Sequence, residues 1–188
     1  MKKENVIRLA QMAMLAAISV VLVMLVHFPL IPAASFLEYD MADVPILLGS
    51  MLYGTVPGLL ILLVVSLVQA FLLGGNGWYG LVMHVAASSV LVILVSVLYR
   101  RKGKFTHAVL GMVLGTVGMA LVMIPMNLWL TPLYMGAPRD AVIDLLLPAI
   151  LPFNLLKAGI NSVLTGILFK ALTPFLRKNG RLLGKTAQ

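Results

Sequence analysis

The 188-residue chain is 61% hydrophobic and only 11% charged, too little polar surface to clothe a soluble domain, and its mean hydropathy is +1.06. Its net charge of +8 comes from Lys and Arg clustered beside apolar runs. The positive-inside rule produces that pattern, and nucleic-acid binding does not require it. Cys is absent, which excludes disulfides and thiolate metal sites.

The first apolar run, about 6–27, has Lys2 and Lys3 before it and Arg8 near its start. It is too long for a signal-peptide core and lacks a clear small-residue cleavage site. Within it, Ala13 and Ala17 form an Ala-x-x-x-Ala pair beside Ala10 and Ala16. Small residues at this spacing let helices approach closely, either inside the protein or against a second membrane subunit. Phe28-Pro29-Leu-Ile-Pro32 ends the run, because Pro cannot continue the helical hydrogen-bond ladder. The following connection, 28–43, mixes apolar side chains with Glu38, Asp40 and Asp43. It reads either as a lid over an outward-facing pocket or as a solvated connector.

A short apolar run follows at about 43–53, and as a helix it would measure only about 16 Å. Longer runs lie at about 55–73, 79–99, 105–128 and 147–172. Gly54-Thr-Val-Pro57-Gly58 and Gly74-Gly-Asn-Gly77 mark tight turns between them. Orientation decides whether the short run is a crossing. Counting it places the N-terminus, the basic loop Arg100–Lys104 and the basic C-terminal end (Lys170, Arg177, Lys178, Arg181, Lys185) together on the cytoplasmic face. Leaving it out puts the loop on the other side. The sequence therefore predicts an all-α integral membrane protein of six transmembrane helices with a short second span, forming one domain over 1–188. Two longer outer connections are expected, about 28–43 and 129–146. Trp78, Tyr79, Trp129 and Tyr134 fall at predicted outer ends, where an interfacial aromatic belt is expected.

Polar side chains within spans need a partner or a task. In the last span Asn154, Lys157, Asn161 and Thr165 recur at helical spacing and share one face. A lysine there can snorkel, or it can line a polar pocket. Asn127 follows Pro125 in the fifth span, where its amide can satisfy a backbone carbonyl or face a ligand. An amide offers a donor and an acceptor side by side, and an ammonium offers donors only. Together Asn127 and Lys157 suit the edge of a planar heterocycle with alternating carbonyl and N–H groups. Gln69 and His84 lie within spans three and four as packing residues or ligand contacts. The glycines Gly111, Gly115 and Gly118 mark another close helix approach in span five. No H-E-x-x-H zinc motif and no Walker A sequence occurs, so catalytic and metal residues are not assigned, and if transport here needs energy another protein must supply it.

Several motifs in order resemble the substrate-binding S components of energy-coupling factor (ECF) vitamin transporters, specifically the riboflavin type. They are Leu37-Glu-Tyr-Asp-Met-Ala-Asp-Val-Pro45, Tyr53-Gly-Thr-Val-Pro-Gly58, Asn127, and Phe153-Asn-Leu-Leu-Lys157, with Ala13-x-x-x-Ala17 similar to the family's docking motif. The resemblance runs over about 6–176. It implies the S-component fold, both termini cytoplasmic in a bacterial plasma membrane, and capture of riboflavin from outside as transported ligand rather than cofactor. It also implies assembly with a transmembrane coupling protein and two ATPase subunits, with Ala13 and Ala17 facing the coupling protein. The substrate-binding set it suggests is Tyr39, Asp43, Asn127, Lys157 and Asn161. This chain departs from the family at Gln69-Ala70, where a Lys-Asn-type pair is expected, and at His84, where an amide is expected. An S component for a different vitamin and a small non-transport membrane protein are the rival readings.

Overall fold

The computed structural model describes residues 3–178. Lys2, Arg181 and Lys185 of the terminal basic clusters lie outside the described residues. Helix α1 (Lys3–Leu25) leads into a two-stranded antiparallel hairpin, β1 (His27–Pro29) and β2 (Glu38–Asp40), with a short 3-10 turn at Pro32–Ala34 between them. Then come α2 (Asp43–Tyr53), α3 (Thr55–Leu72), α4 (Gly77–Lys102) and α5 (Phe105–Met135). A final rod consists of α6 (Arg139–Leu145), a π turn (Leu146–Ile150) and α7 (Leu151–Lys178). Five of these helical units are long and apolar enough to cross a bilayer, and α2 is the short sixth.

Helix α2 is apolar on every side because it is enclosed on every side. Residues Asp43 to Met51 are all buried, against α1, α3, α4 and α7. A helix without a polar face belongs inside a larger body. Its exit is fixed by Gly54, whose φ of +111° suits a residue without Cβ, and whose N–H donates to Ser50 O at 2.9 Å. Ser96 on α4 also donates to Ser50 O (3.1 Å) and accepts from Thr55 (3.0 Å), which seals the corner.

The span-five glycines serve packing within the chain. A Cβ on Gly111 would lie 2.7 Å from Val95 Cα, and one on Gly115 would lie 3.1 Å from Leu91 Cα. Helices α4 and α5 therefore meet backbone to backbone. On α1, by contrast, Ala16 is buried while Ala10, Ala13 and Ala17 are exposed.

One sequence expectation changes, and one open alternative is decided. The connection expected over 129–146 shrinks to residues 136–138, because α5 runs through Pro125 and Pro132 and the last rod starts at Arg139. Proline within a membrane helix is tolerated where side chains and local adjustments satisfy the freed groups, and the π turn containing Pro148 is one such adjustment. The 28–43 connection is folded rather than solvated. Ala34, Leu37 and Tyr39 form an apolar cluster with Val142, Ala149, Ile150 and Phe153 of the last rod.

Candidate functional site

The hairpin connector, the α3–α4 turn and the C-terminal end of α5 gather at one end of the bundle. Arg8 and the Arg100–Lys104 loop lie at the other. A cavity opens at the gathered end. Its apolar wall is Met83 and Ala87 from α4, Met119 and Met123 from α5, Ala70 from α3, and Phe153 from α7. Its polar wall is Asp40, Ser66, Gln69, His84, Asn127, Asn154 and Lys157. The rim carries His27, Glu38, Asn76, Tyr79 and Tyr134.

The polar wall is organised around Asp40, the last residue of β2. Its Oδ2 accepts from Lys157 Nζ at 2.7 Å and from Gln69 Nε2 at 3.1 Å, while Oδ1 accepts from Ala42 N–H at 3.0 Å. Burial pushes this carboxyl up. The Lys157 ammonium, the nearby His84 and the hydrogen bonds from Lys157 and Ala42 outweigh burial and hold it well below the usual carboxylate range. Asn161 secures the strand from beneath: its Nδ2 donates to Asp40 O at 3.1 Å and, at 3.5 Å, to Asp43 Oδ2, and its Oδ1 accepts from Tyr39 OH at 2.9 Å. Burial, then the charges of Asp40 and Asp43, push the Tyr39 phenol up, so it remains a neutral donor. On α4, His84 Nδ1 lies 3.0 Å from Ser66 Oγ. Its Nε2 is 3.6 Å from Asp43 Oδ1, too far for a hydrogen bond.

Of the sequence-derived set, Asn127 and Lys157 stand on the cavity wall. Tyr39, Asp43 and Asn161 stand behind it, buried and bonded to one another. The Asn127 amide is engaged with its own helix, donating to Met123 O at 2.8 Å and accepting from Thr131 at 2.9 Å. An amide has two N–H groups and two acceptor lone pairs, so each end keeps one site for a ligand. Among the described residues, Gln69 Oε1 is buried without a partner, an open acceptor on a residue of the wall. The aromatic-belt expectation divides: Trp78 and Trp129 face outward (69% and 67% exposed), whereas Tyr79 and Tyr134 line the rim as a pair with ring centres 5.8 Å apart. Tyr134 OH donates to Asn76 at 2.7 Å. Sequence reasoning passed over Asp40, which looked like one of three acids in a loop. Its only available signal was its place between two residues already singled out.

A bundle of membrane-crossing helices with a folded hairpin over a half-apolar, half-polar cavity has the architecture of a solute-binding membrane subunit. The family model for "ECF transporter, substrate-specific component" matches residues 7–169, and the chain belongs to that family. The riboflavin transporter RibU of Streptococcus thermophilus is 31% identical, over 93% of this chain and 86% of that protein. RibU of Lactococcus lactis is 27% identical, covering 86% and 90%, and the riboflavin transporter FmnP of Bacillus subtilis is 25% identical, covering 91% and 94%. The solved S component of a bacterial ECF transporter superposes with a TM-score of 0.80 at 26% identity, covering 92% of this chain and 99% of that one.

Proposed function

We propose that the chain binds riboflavin and serves its uptake as the S component of an ATP-driven ECF transporter, acting as one domain over 1–188. The observation that carries this is the cavity's division. One side is a methionine-rich slot for an apolar ring edge, and the other presents Gln69, Asn127 and Lys157 to the carbonyls and N–H of a pyrimidine edge. Relatives named as riboflavin transporters fit that ligand. Asn127 and Lys157 contact the flavin in this reading, while Tyr39, Asp43 and Asn161 hold the connector that roofs it.

The basic end is cytoplasmic, and the cavity opens to the cell exterior. A coupling protein docks on the exposed Ala13 and Ala17 of α1, and two ATPase subunits supply the energy. Titration of the purified protein with riboflavin should quench flavin fluorescence to saturation at one ligand per chain. Saturable binding of thiamine or biotin with no flavin quenching would refute the assignment. Impermeant labelling of tags at both termini, silent in intact cells, checks the orientation.

A further inference from the structure

We propose that Asp40 is a positioning residue that fixes the Lys157 ammonium at the cavity wall and, through the same contacts, latches the hairpin connector over the cavity. Asp40 is 1% exposed and belongs to the connector, yet its carboxylate binds α3 through Gln69 and α7 through Lys157. Glu38, the other acid of the hairpin, forms its ion pair with His27 of the same hairpin on an exposed surface. Asp43 belongs to α2, not to the connector.

The consequence is a coupling. Lifting the connector would carry Asp40 away from Lys157 and leave a buried ammonium unpaired, which is costly. An open connector and a ligand-ready Lys157 therefore exclude each other, and seating the connector builds the polar wall. With its charge matched by Asp40, Lys157 offers N–H groups to a neutral polar ligand without calling in an anion. The ligand part of this proposal rests on the flavin reading above; the latch does not.

Because the chain has no Cys, a single introduced thiol reports on the connector alone. Ala34→Cys places one at a position 1% exposed in the connector's 3-10 turn, and Leu37→Cys (6% exposed) serves if the first does not fold. The rate of labelling by a polar maleimide is compared among the parent protein, Asp40→Asn, Lys157→Met and the double variant. Each single change should raise it by about tenfold or more, and the double should match the singles within about twofold, because all three break one contact. Unchanged labelling in Asp40→Asn, or effects that multiply in the double, would overturn the latch.

Riboflavin affinity is measured on the same four proteins. Asp40→Asn should weaken binding by about tenfold or more beside Lys157, and by less than about twofold in the Lys157→Met background. An equal loss in both backgrounds would show that Asp40 does not act through Lys157. If the parent protein binds no flavin while labelling behaves as expected, the flavin reading fails and the latch stands.

Discussion

The α4–α5 contact yields the sharpest energetic expectation. Gly111→Ala places a Cβ 2.7 Å from Val95 Cα and 2.9 Å from Leu94 O, both backbone atoms that no rotamer change can remove. Restoring the 3.4 Å of ordinary contact requires the helices to part locally by about 0.7 Å, and gaps of that size forfeit a quarter to a half of the dispersion attraction across them. The expected loss is about 1–3 kcal/mol, the usual range for overpacking. Gly159→Ala on α7 meets nothing within 4 Å, and it should be neutral or stabilising by about 0.5–1 kcal/mol, since Gly weakens a helix interior. Thermal unfolding of both variants in one detergent measures the contrast. Gly111 lies about 12 Å along α5 from Met119, the nearer of that helix's two cavity methionines, far enough that folded Gly111→Ala should hold riboflavin nearly as the parent does. A midpoint for Gly111→Ala equal to or above that for Gly159→Ala would refute the backbone-to-backbone reading.

Three further outcomes follow from the site and the exposed face of α1. Ala13→Leu with Ala17→Leu should leave riboflavin binding by the purified chain intact but abolish uptake in cells containing the partner module; lost binding would place these residues in the monomer's own packing instead. Tyr39→Phe removes the bond to Asn161 and leaves a buried acceptor, so it should cost about 1–3 kcal/mol in thermal stability and speed riboflavin release, seen by stopped-flow fluorescence. Asp40 is held well below the usual carboxylate range, so its contribution to stability is complete above its unfolded value near pH 4 and is lost as pH falls further. Stability should therefore stay level from pH 7 to about 5 with respect to this group and fall only in stronger acid. Asp40→Asn should remove that acid-limb dependence.

What could be read in advance depended on the range of the interaction. The polar stripe of the last span follows from spacing along one helix, and Asn154, Lys157, Asn161 and Thr165 are all buried as that stripe implies. The short second span was legible only indirectly, through the sidedness of basic clusters far from it. The Asp40–Lys157 pair joins residues 117 positions apart, and no local pattern encodes a partner at that distance. That Tyr79 and Tyr134 also line the cavity rim was not legible for a related reason. Composition places an aromatic at a helix end, but only packing decides whether it turns toward lipid or inward. The expected 129–146 connection is shorter in the structure because α5 continues through Pro132 to Met135, and whether a membrane helix continues through proline depends on what neighbouring groups satisfy.

The enclosure of α2 bears on how the chain enters the bilayer. Eleven residues reach about half the hydrocarbon thickness, so this segment cannot commit to the membrane as an independent stem. Its neighbours α1 and α3 are long and apolar enough to do so, and the basic clusters lie outside α2. The place of α2 in the bundle therefore depends on tertiary contacts, with α1, α3, α4 and α7 enclosing it. A substitution that disturbs its fit would surface as a chain with one crossing missing and every later loop on the wrong side of the membrane, rather than as a locally weakened helix.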